Sequence, residues 1–546
     1  MKSVDALVIG SGAGGAPVAY TLARAGWSVC LLEKGPRHAR QEFVHDEVAI
    51  CRRDFFTDSL ADDPHVLESA DGTRERTDLG WISRCVGGGT VHMAGYFYRL
   101  HPEDFRMATL YGHGGGLSLA DWPFGYEVLE PYYARVEQVI GISGDAGTNP
   151  FDPPRSTPYP LPALEAHPLA KVVDAAAAKL GMHTFPCPRG IASRPYAGRA
   201  QCVYCDFCGS YGCEVGAKSS TLEALIPQAE ATGRCEVVPN AMVREVTVGA
   251  DGRADGCVWL DEERDEQRVR ARVVVVACSA VESARLLLLS RSARFPQGLG
   301  NSTGQVGRNL HFSRNTTAKA WFRYGSGKVA DEVLRARAPF LQRSLQDFYA
   351  LPAGVSDIPK GGTIRMGFPH ANPIATAMKL ARATGALTWG GFLKERMREY
   401  WHDGRQIEFE TFADHLPSEG TSIDLDPEAK DRWGLPAARI RIAEVPHHEK
   451  AGTYLQARGM ELLAACGADE VEAGVVAAVT GHLVHGTCRM GTDPATSVTD
   501  ADGRAHDCPN LYVTDGAAIP HAGGVTSTLT ILANAFRIAD RILAAR

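Results

Sequence analysis

The sequence predicts an α/β protein in which a Rossmann-type dinucleotide-binding domain, assembled from discontinuous segments, is joined to an α+β domain with an antiparallel sheet. Three observations predict it. Residues 4–33 read strand, glycine turn, helix, strand. Two later β-branched strands, at 236–248 and 267–278, are of the kind that complete such a sheet. After a middle stretch of different texture, a strand and a long apolar helix return near the C-terminus. At 546 residues the chain suggests two or more lobes.

Each element has a local reason. Val4–Ile9 is a short apolar strand, followed by Gly10, Gly12 and Gly15 as GxGxxG. Gly10 allows the tight turn, Gly12 lets the backbone approach a pyrophosphate, and Gly15 lets the helix pack on the strand. The helix ends near Gly26, Val29–Leu32 form the second strand, and Glu33 is placed to accept hydrogen bonds from a ribose. This motif alone fits NAD as well as FAD. The glycines at 87–89 mark a backbone that passes close to something flat or anionic, or else a tight surface loop.

A short helix at Leu129–Ile140 and an amphipathic one at Leu169–Leu180 lead to a cysteine cluster, followed by a helical stretch at Ser219–Ala231. In VVVVACSAVESARLLLLS the valines make a buried strand and Val281–Leu289 an apolar helix. Residues 313–477 are aromatic-rich and irregular, with alternating runs at Gln406–Phe412 and Ala438–Ala443, as expected for an antiparallel sheet. Leu511–Val513 and the helix Leu529–Leu543 close the chain.

Composition narrows the partners. A net charge of −7 gives no reason to expect nucleic acid or an anionic membrane surface, and no stretch approaches the ~18 apolar residues of a membrane span. Met1, Lys2 and Ser3 lead straight into the first strand without a signal peptide, so a cytoplasmic location is expected, or a periplasmic one if a partner carries the signal. Of fourteen cysteines, Cys202, Cys205, Cys208 and Cys213 form one C-x2-C-x2-C-x4-C cluster. It offers enough thiolates for an iron-sulfur cluster; a tetrahedral zinc, or disulfides in an oxidising compartment, are the other readings.

The chain resembles the glucose-methanol-choline family of FAD-dependent oxidoreductases. The resemblance rests on GSGAGG with Glu33, CVGGGTVHMAG at 85–95, ACSAVESARLLLLS at 277–290, GLGNSTGQVGRNL at 298–310, and HGTCRMGTDPATSV with NLYVTDGAAIP in the tail. It implies an FAD-binding domain from 1–100, 214–312 and 478–546, an excursion or cap with the cysteine cluster at 101–213, and a substrate domain at 313–477. FAD would be held by Gly10, Gly12, Gly15 and Glu33, with Gly88, Val243 and Asp515 near it. His92 stands where some relatives tether a histidine to the flavin. The activity implied is oxidation of an alcohol by hydride transfer, with a secondary hydroxyl of a sugar or glycoside as the expected substrate.

Such chemistry needs a base near neutral pKa beside the flavin, and histidine suits it. The family's catalytic histidine lies four residues before the Thr of GTxRMG, which here is Leu483. A one-residue insertion lets His482 serve, the reading the sequence leans to, and a shift brings in His485. Thr526 occupies the position of the family's second catalytic residue and is expected to orient substrate, with His521 compensating. Trp321, Phe340, Trp389 and Trp401 are of a kind that stacks on a pyranose. Sugar dehydrogenases of this family with separate electron-transfer subunits carry a cysteine-rich insert ending like CEVGAK, where three cysteines hold a three-iron cluster. The resemblance therefore implies a 3Fe-4S or 4Fe-4S cluster at Cys202, Cys205, Cys208 and Cys213, and an electron-transfer or small accessory subunit as partner. Two alternatives remain: an oxidase releasing hydrogen peroxide with a structural cysteine cluster, and an FAD-binding subunit that has lost catalysis, supported by the histidine spacing and Thr526.

Overall fold

The first strand does not alternate, because both of its faces are covered. In β1 (Lys2–Ile9) residues 6–9 are all buried, the mark of a strand inside a parallel sheet. This computed structural model describes residues 2–51, 55–112, 114, 116–369, 372–382 and 385–545, apart from the side chains of Cys51 and His482. After β1 come α1 (Gly15–Arg24), β2 (Val29–Leu32), α2 (Tyr126–Ile140), β3 (Cys235–Val238), β4 (Met242–Val248), β5 (Ala254–Leu260), β6 (Glu266–Val276) and α3 (Ala280–Leu289). The second sheet uses β7 (His311–Asn315), β8 (Thr317–Arg323), β9 (Arg343–Leu345), β10 (Gly362–Gly367) and β11 (Gly404–Asp414). Then follow α4 (Pro446–Ala465), β12 (Glu470–Ala473), β13 (Ala478–His485), β14 (Leu511–Val513) and α5 (Thr528–Ala544).

The first sheet runs β3-β2-β1-β6-β5-β4, with β14 added against the end of β6. β3, β2, β1, β6 and β14 are parallel, and β4 and β5 form an antiparallel extension. β6 serves both halves, pairing with β5 at its start and with β14 over Val274–Val276. This delivers the tail to the glycine turn, where Thr514 Oγ1 donates to Gly14 O at 2.9 Å. The sequence reads 236–248 as one strand; the structure splits it. Asn240 takes a left-handed conformation (φ 54°), and the chain crosses over Glu33, with Ala241 N donating to Glu33 O at 2.8 Å.

The second sheet is antiparallel, in the order β12-β8-β11-β10-β9 and then Thr184–Pro186, with β7 pairing both β11 and β13. The helices Leu169–Lys179 and α4 cover it in a separate apolar core. α4 replaces what the sequence reads as irregular chain. Its buried face is partly glycine, so it leaves little apolar periodicity: a Cβ on Gly459 would stand 2.4 Å from the Phe409 ring, and one on Gly452 2.9 Å from Ala477 Cβ. Close approach of helix to sheet replaces bulky side chains there. Where β7 meets β13, His311 pairs with His485, and Gly486 N donates to Gly516 O at 3.0 Å, so the histidine segment lies on the seam between lobes. No helix among the described residues is long and apolar enough to cross a membrane.

Candidate active site

One cavity of about 410 Å³ opens along that seam. Gly10, Gly12, Gly14, Glu33, Gly88, Val243 and Asp515 line it, whereas Gly15 lies behind the turn. Gly10 has φ 99°, and a Cβ there would stand 2.2 Å from Ala277 O; a Cβ on Gly15 would stand 1.8 Å from Gly10 O. Those two glycines are demanded by the protein itself. Gly12 is not: a Cβ there would meet only Gly88 Cα, at 3.8 Å, so the space it leaves belongs to the cavity. This cradle, opening beside the start of α1, suits a pyrophosphate.

Glu33 is buried and accepts from Ser11 N (3.1 Å), Ser11 Oγ (2.6 Å) and Gly35 N (3.0 Å). Burial raises its pKa against those hydrogen bonds. Ser11 Oγ also accepts from Gly87 N at 2.8 Å, tying the first glycine turn to the second. Asp515 accepts from Ser283 Oγ (2.5 Å) and Ala517 N (2.8 Å), and burial lifts it to about 6. His92 lies between the rings of Phe56 (4.9 Å) and Trp81 (5.4 Å), with Nε2 bonded to Ser83 Oγ.

The cavity wall from the second sheet and the tail carries Asn315, Glu410, Phe412, Thr480, Leu483, His485, Thr526 and Ser527. His485 Nε2 lies 2.6 Å from Ser527 Oγ. Burial, then the neighbouring His311, push the His485 pKa well below the usual histidine range, so its imidazole is neutral at pH 7. Thr526 Oγ1 donates to Tyr96 O at 2.7 Å, which fixes its rotamer and leaves its oxygen free to accept. Leu483, four residues before Thr487, lines the cavity. His482 lies in β13, but its side chain is outside the described ones.

His521 does not line the cavity. It is fully buried, with Nε2 3.0 Å from Asp414 Oδ2, and that carboxyl is held at about 2 by His521 and Lys360 against the upward push of burial. Gly524, in the same segment, accepts from Thr363 Oγ1 at 2.8 Å and donates from its N to Tyr349 Oη at 3.2 Å. Those contacts clamp the turn that presents Thr526. None of Trp321, Phe340, Trp389 and Trp401 reaches the cavity either, because Phe340 packs on the cysteine segment and Trp389 and Trp401 point to solvent. Its aromatic lining is Trp81, Tyr96 and Phe412. Ser11, Ser527, Tyr96 and Glu410 escape the sequence reading; the first three carried a signal there, as neighbours of motif residues.

Cys202, Cys205, Cys208 and Cys213 are free thiols on one loop. Burial pushes Cys202 up to about 12. A zinc at ~2.3 Å from each ligand would bring sulfurs to roughly 3.8 Å of one another. Among the described residues no three of these sulfurs lie within 4.8 Å; the one such group is Asp104, Asp414 and His521. A multi-iron cluster, with each iron taking its own thiolate, holds its sulfurs farther apart than a single ion does. The loop is wound tightly, with Tyr204, Asp206 and Ser210 all at positive φ. Backbone of this kind turns N–H groups toward a bound anionic centre. The loop also touches the cavity. Gly209 and Ser210 line it, Ser210 N donates to His92 O at 2.9 Å, and buried Lys218 Nζ donates to Cys208 O (2.7 Å), Tyr211 O (2.7 Å) and Val91 O (3.2 Å).

The chain is 32% identical to 6'''-hydroxyparomomycin C oxidase of Streptomyces lividus, over 98% of this chain and 91% of that protein. It is also 32% identical to 2-methyl-1,2-propanediol dehydrogenase of Mycolicibacterium austroafricanum (98% and 95% covered), and 29% identical to the fructose dehydrogenase large subunit of Gluconobacter japonicus (99% and 98%). Pyridoxine 4-oxidase from Mesorbium loti shares the fold with a TM-score of 0.61 at 18% identity, over 99% of each chain. Family profiles described as GMC oxidoreductase match residues 4–313 and 417–535. By this match and the near full-length relatives, the chain belongs to the GMC oxidoreductase family.

Proposed function

We propose that the protein is an FAD-dependent dehydrogenase that oxidises a secondary hydroxyl of a sugar or glycoside. The observation that carries this is a single cavity lined both by the glycine cradle with Glu33 and by His485, Ser527 and Thr526. Bound FAD would supply a hydride acceptor for the carbinol C–H. The protein's own residues do the rest. Gly12 and Gly88 would leave room for the pyrophosphate at the turn that Gly10 makes possible, Glu33 would accept from a ribose hydroxyl, and Val243 would line the adenosine end. Neutral His485, steadied by Ser527, takes the hydroxyl proton, and Thr526 orients that hydroxyl. Asn315 and Glu410 offer polar groups to further hydroxyls, in keeping with relatives named for aminoglycosides and fructose.

The wound cysteine loop beside the cavity supports an iron-sulfur cluster on Cys202, Cys205, Cys208 and Cys213. Such a cluster would pass electrons singly to an external acceptor or accessory subunit. Ser83 and the flanking rings engage His92 and favour FAD held without a covalent bond; acid precipitation that releases all yellow colour to the supernatant is the expected result. Anaerobic mixing with a panel of sugars and alcohols tests the function itself. Bleaching of the flavin bands by a sugar is expected, and no bleaching by any alcohol would sink the proposal. The second reading, an oxidase, is favoured by the relatives named oxidases; absence of iron together with peroxide release during turnover would select it.

A further inference from the structure

One tyrosine at the cavity wall carries two cations over its ring. Arg189 Cζ lies 4.3 Å and Arg365 Cζ 5.0 Å from the centroid of Tyr96. Both arginines are buried, and both are held in place. Arg365 Nε donates to Glu410 Oε1 at 3.0 Å and its Nη2 bonds the same oxygen, while Arg189 Nη2 donates to Ala94 O at 2.7 Å. The backbones of Tyr96 and Arg189 pair as well. Tyr96 lines the cavity, with its ring 6.0 Å from that of Phe412, another lining residue. Two residues on, Tyr98 Oη is engaged by Ser344 Oγ at 2.6 Å, whereas Tyr96 Oη has no hydrogen-bond partner among the described residues.

Asn315 apart, the side chains around Tyr96 on that wall are short of donors. Thr526 gives its hydroxyl hydrogen to Tyr96 O (2.7 Å) and Thr480 gives its own to Ser313 O (2.7 Å), Glu410 only accepts, and Ser527 Oγ is engaged by His485 Nε2. An alcohol that loses its proton turns from donor to acceptor, and a threonine placed to accept from the hydroxyl has no hydrogen left for the alkoxide. Nor does a charged His485 meet the whole demand, because burial and His311 disfavour its charged form. Tyr96 stands next to Thr526 and has a phenolic hydrogen to give. Two buried cations over the ring draw electron density from it and strengthen its O–H as a donor, the more so in a wall of low dielectric.

We propose that Tyr96 is a catalytic residue that donates its phenolic hydrogen bond to the oxygen of the alcohol being oxidised, and so stabilises the alkoxide formed when His485 takes the proton. This rests on the reading of His485 as the base. The alcohol O–H bond breaks, its proton joins the imidazole, and its electron pair stays on oxygen. Tyr96 keeps its own proton throughout. The pair on oxygen then forms the C=O bond as the carbinol hydrogen leaves as hydride. Arg189 and Arg365 are positioning residues that act through the ring.

Tyr96→Phe in the FAD-loaded protein tests this, with D-glucose, D-fructose, D-glucosamine and methyl glucoside as probes in anaerobic stopped flow. Bleaching of the flavin at saturating sugar should slow about 10²-fold, with apparent affinity within about threefold of wild type. The melting temperature should not change, because Oη bonds nothing in the protein. Arg365→Lys keeps a cation for Glu410 but takes the planar group off the ring; it should slow bleaching about fivefold by itself and add nothing to Tyr96→Phe. A Tyr96→Phe protein that bleaches as fast as wild type overturns the proposal, as does a loss confined to affinity. Equal slowing by Arg365→Lys in both backgrounds overturns the role given to the arginines. Wild-type flavin that none of the probes bleaches overturns the functional reading and this inference with it, whereas bleaching of wild type at a rate that Tyr96→Phe leaves unchanged overturns the inference alone.

Discussion

His485 is the residue on which the proposed chemistry turns. Its neutral ring has a nitrogen lone pair to take a proton, burial holds its pKa below the near-neutral value that best suits a base, and His485→Asn keeps a hydrogen-bonding group while removing the proton acceptor. Flavin reduction by substrate should slow about 10²–10⁴-fold in stopped flow, with little change in substrate affinity. His482→Asn is the companion variant, and a larger loss there would move the role to His482. Gly10 gives a test of the dinucleotide end. Ala at φ 99° is strained, and its Cβ would meet Ala277 O at 2.2 Å, a backbone atom that cannot swing aside. Gly10→Ala should cost about 2–3 kcal/mol and strip FAD, read as lost flavin absorbance in the purified protein.

At the scale of elements, Lys218 fastens the cysteine loop to the cavity wall through three backbone carbonyls. Lys218→Met leaves those acceptors buried without a donor, at about 1–3 kcal/mol each in the worst case. Loss of bound iron with FAD retained is the expected outcome, and iron content equal to wild type would remove Lys218 from that role. Some elements were legible in the sequence and others were not, for physical reasons. β1, α1 and β2 could be read because glycine spacing and apolar strands are local signals. α5 was equally plain, since its buried stripe of Leu, Ile and Phe repeats at helical spacing. α4 was hidden because glycine, not bulk, forms part of its buried face. The break at Asn240 was hidden because contact with Glu33, two hundred residues away in sequence, decides it. In the site, the glycines and Glu33 were legible as a motif. The pairing of His485 with Ser527 depends on β13 meeting the start of α5, which no local pattern records.

Taken whole, the molecule keeps many histidines inside. His311, His415, His448 and His485 gather around β7 and β13, with His447 beside them and His167 by the second core. Burial pushes His167, His311 and His447 down to about 4 and His448 to about 3, and holds His415 and His485 well below the usual range. In the unfolded chain each takes a proton near pH 6.5. Between pH 6.5 and 4 the unfolded state therefore binds more protons than the native one, and stability falls as pH drops through that window. Each histidine contributes up to about 1.4 kcal/mol per pH unit. Acids raised by burial act in the opposite sense: Asp515 and Asp206, lifted to about 6, and Glu33 bind protons in the native state first. They begin to offset the loss as they titrate around pH 6, and six histidines outnumber them. The decline in melting temperature should thus set in around pH 7, be steepest near pH 5–5.5, and slacken toward pH 4 as the native histidines take up protons. A melting temperature that stays level from pH 7 to pH 5 would show that these histidines are already protonated in the folded protein.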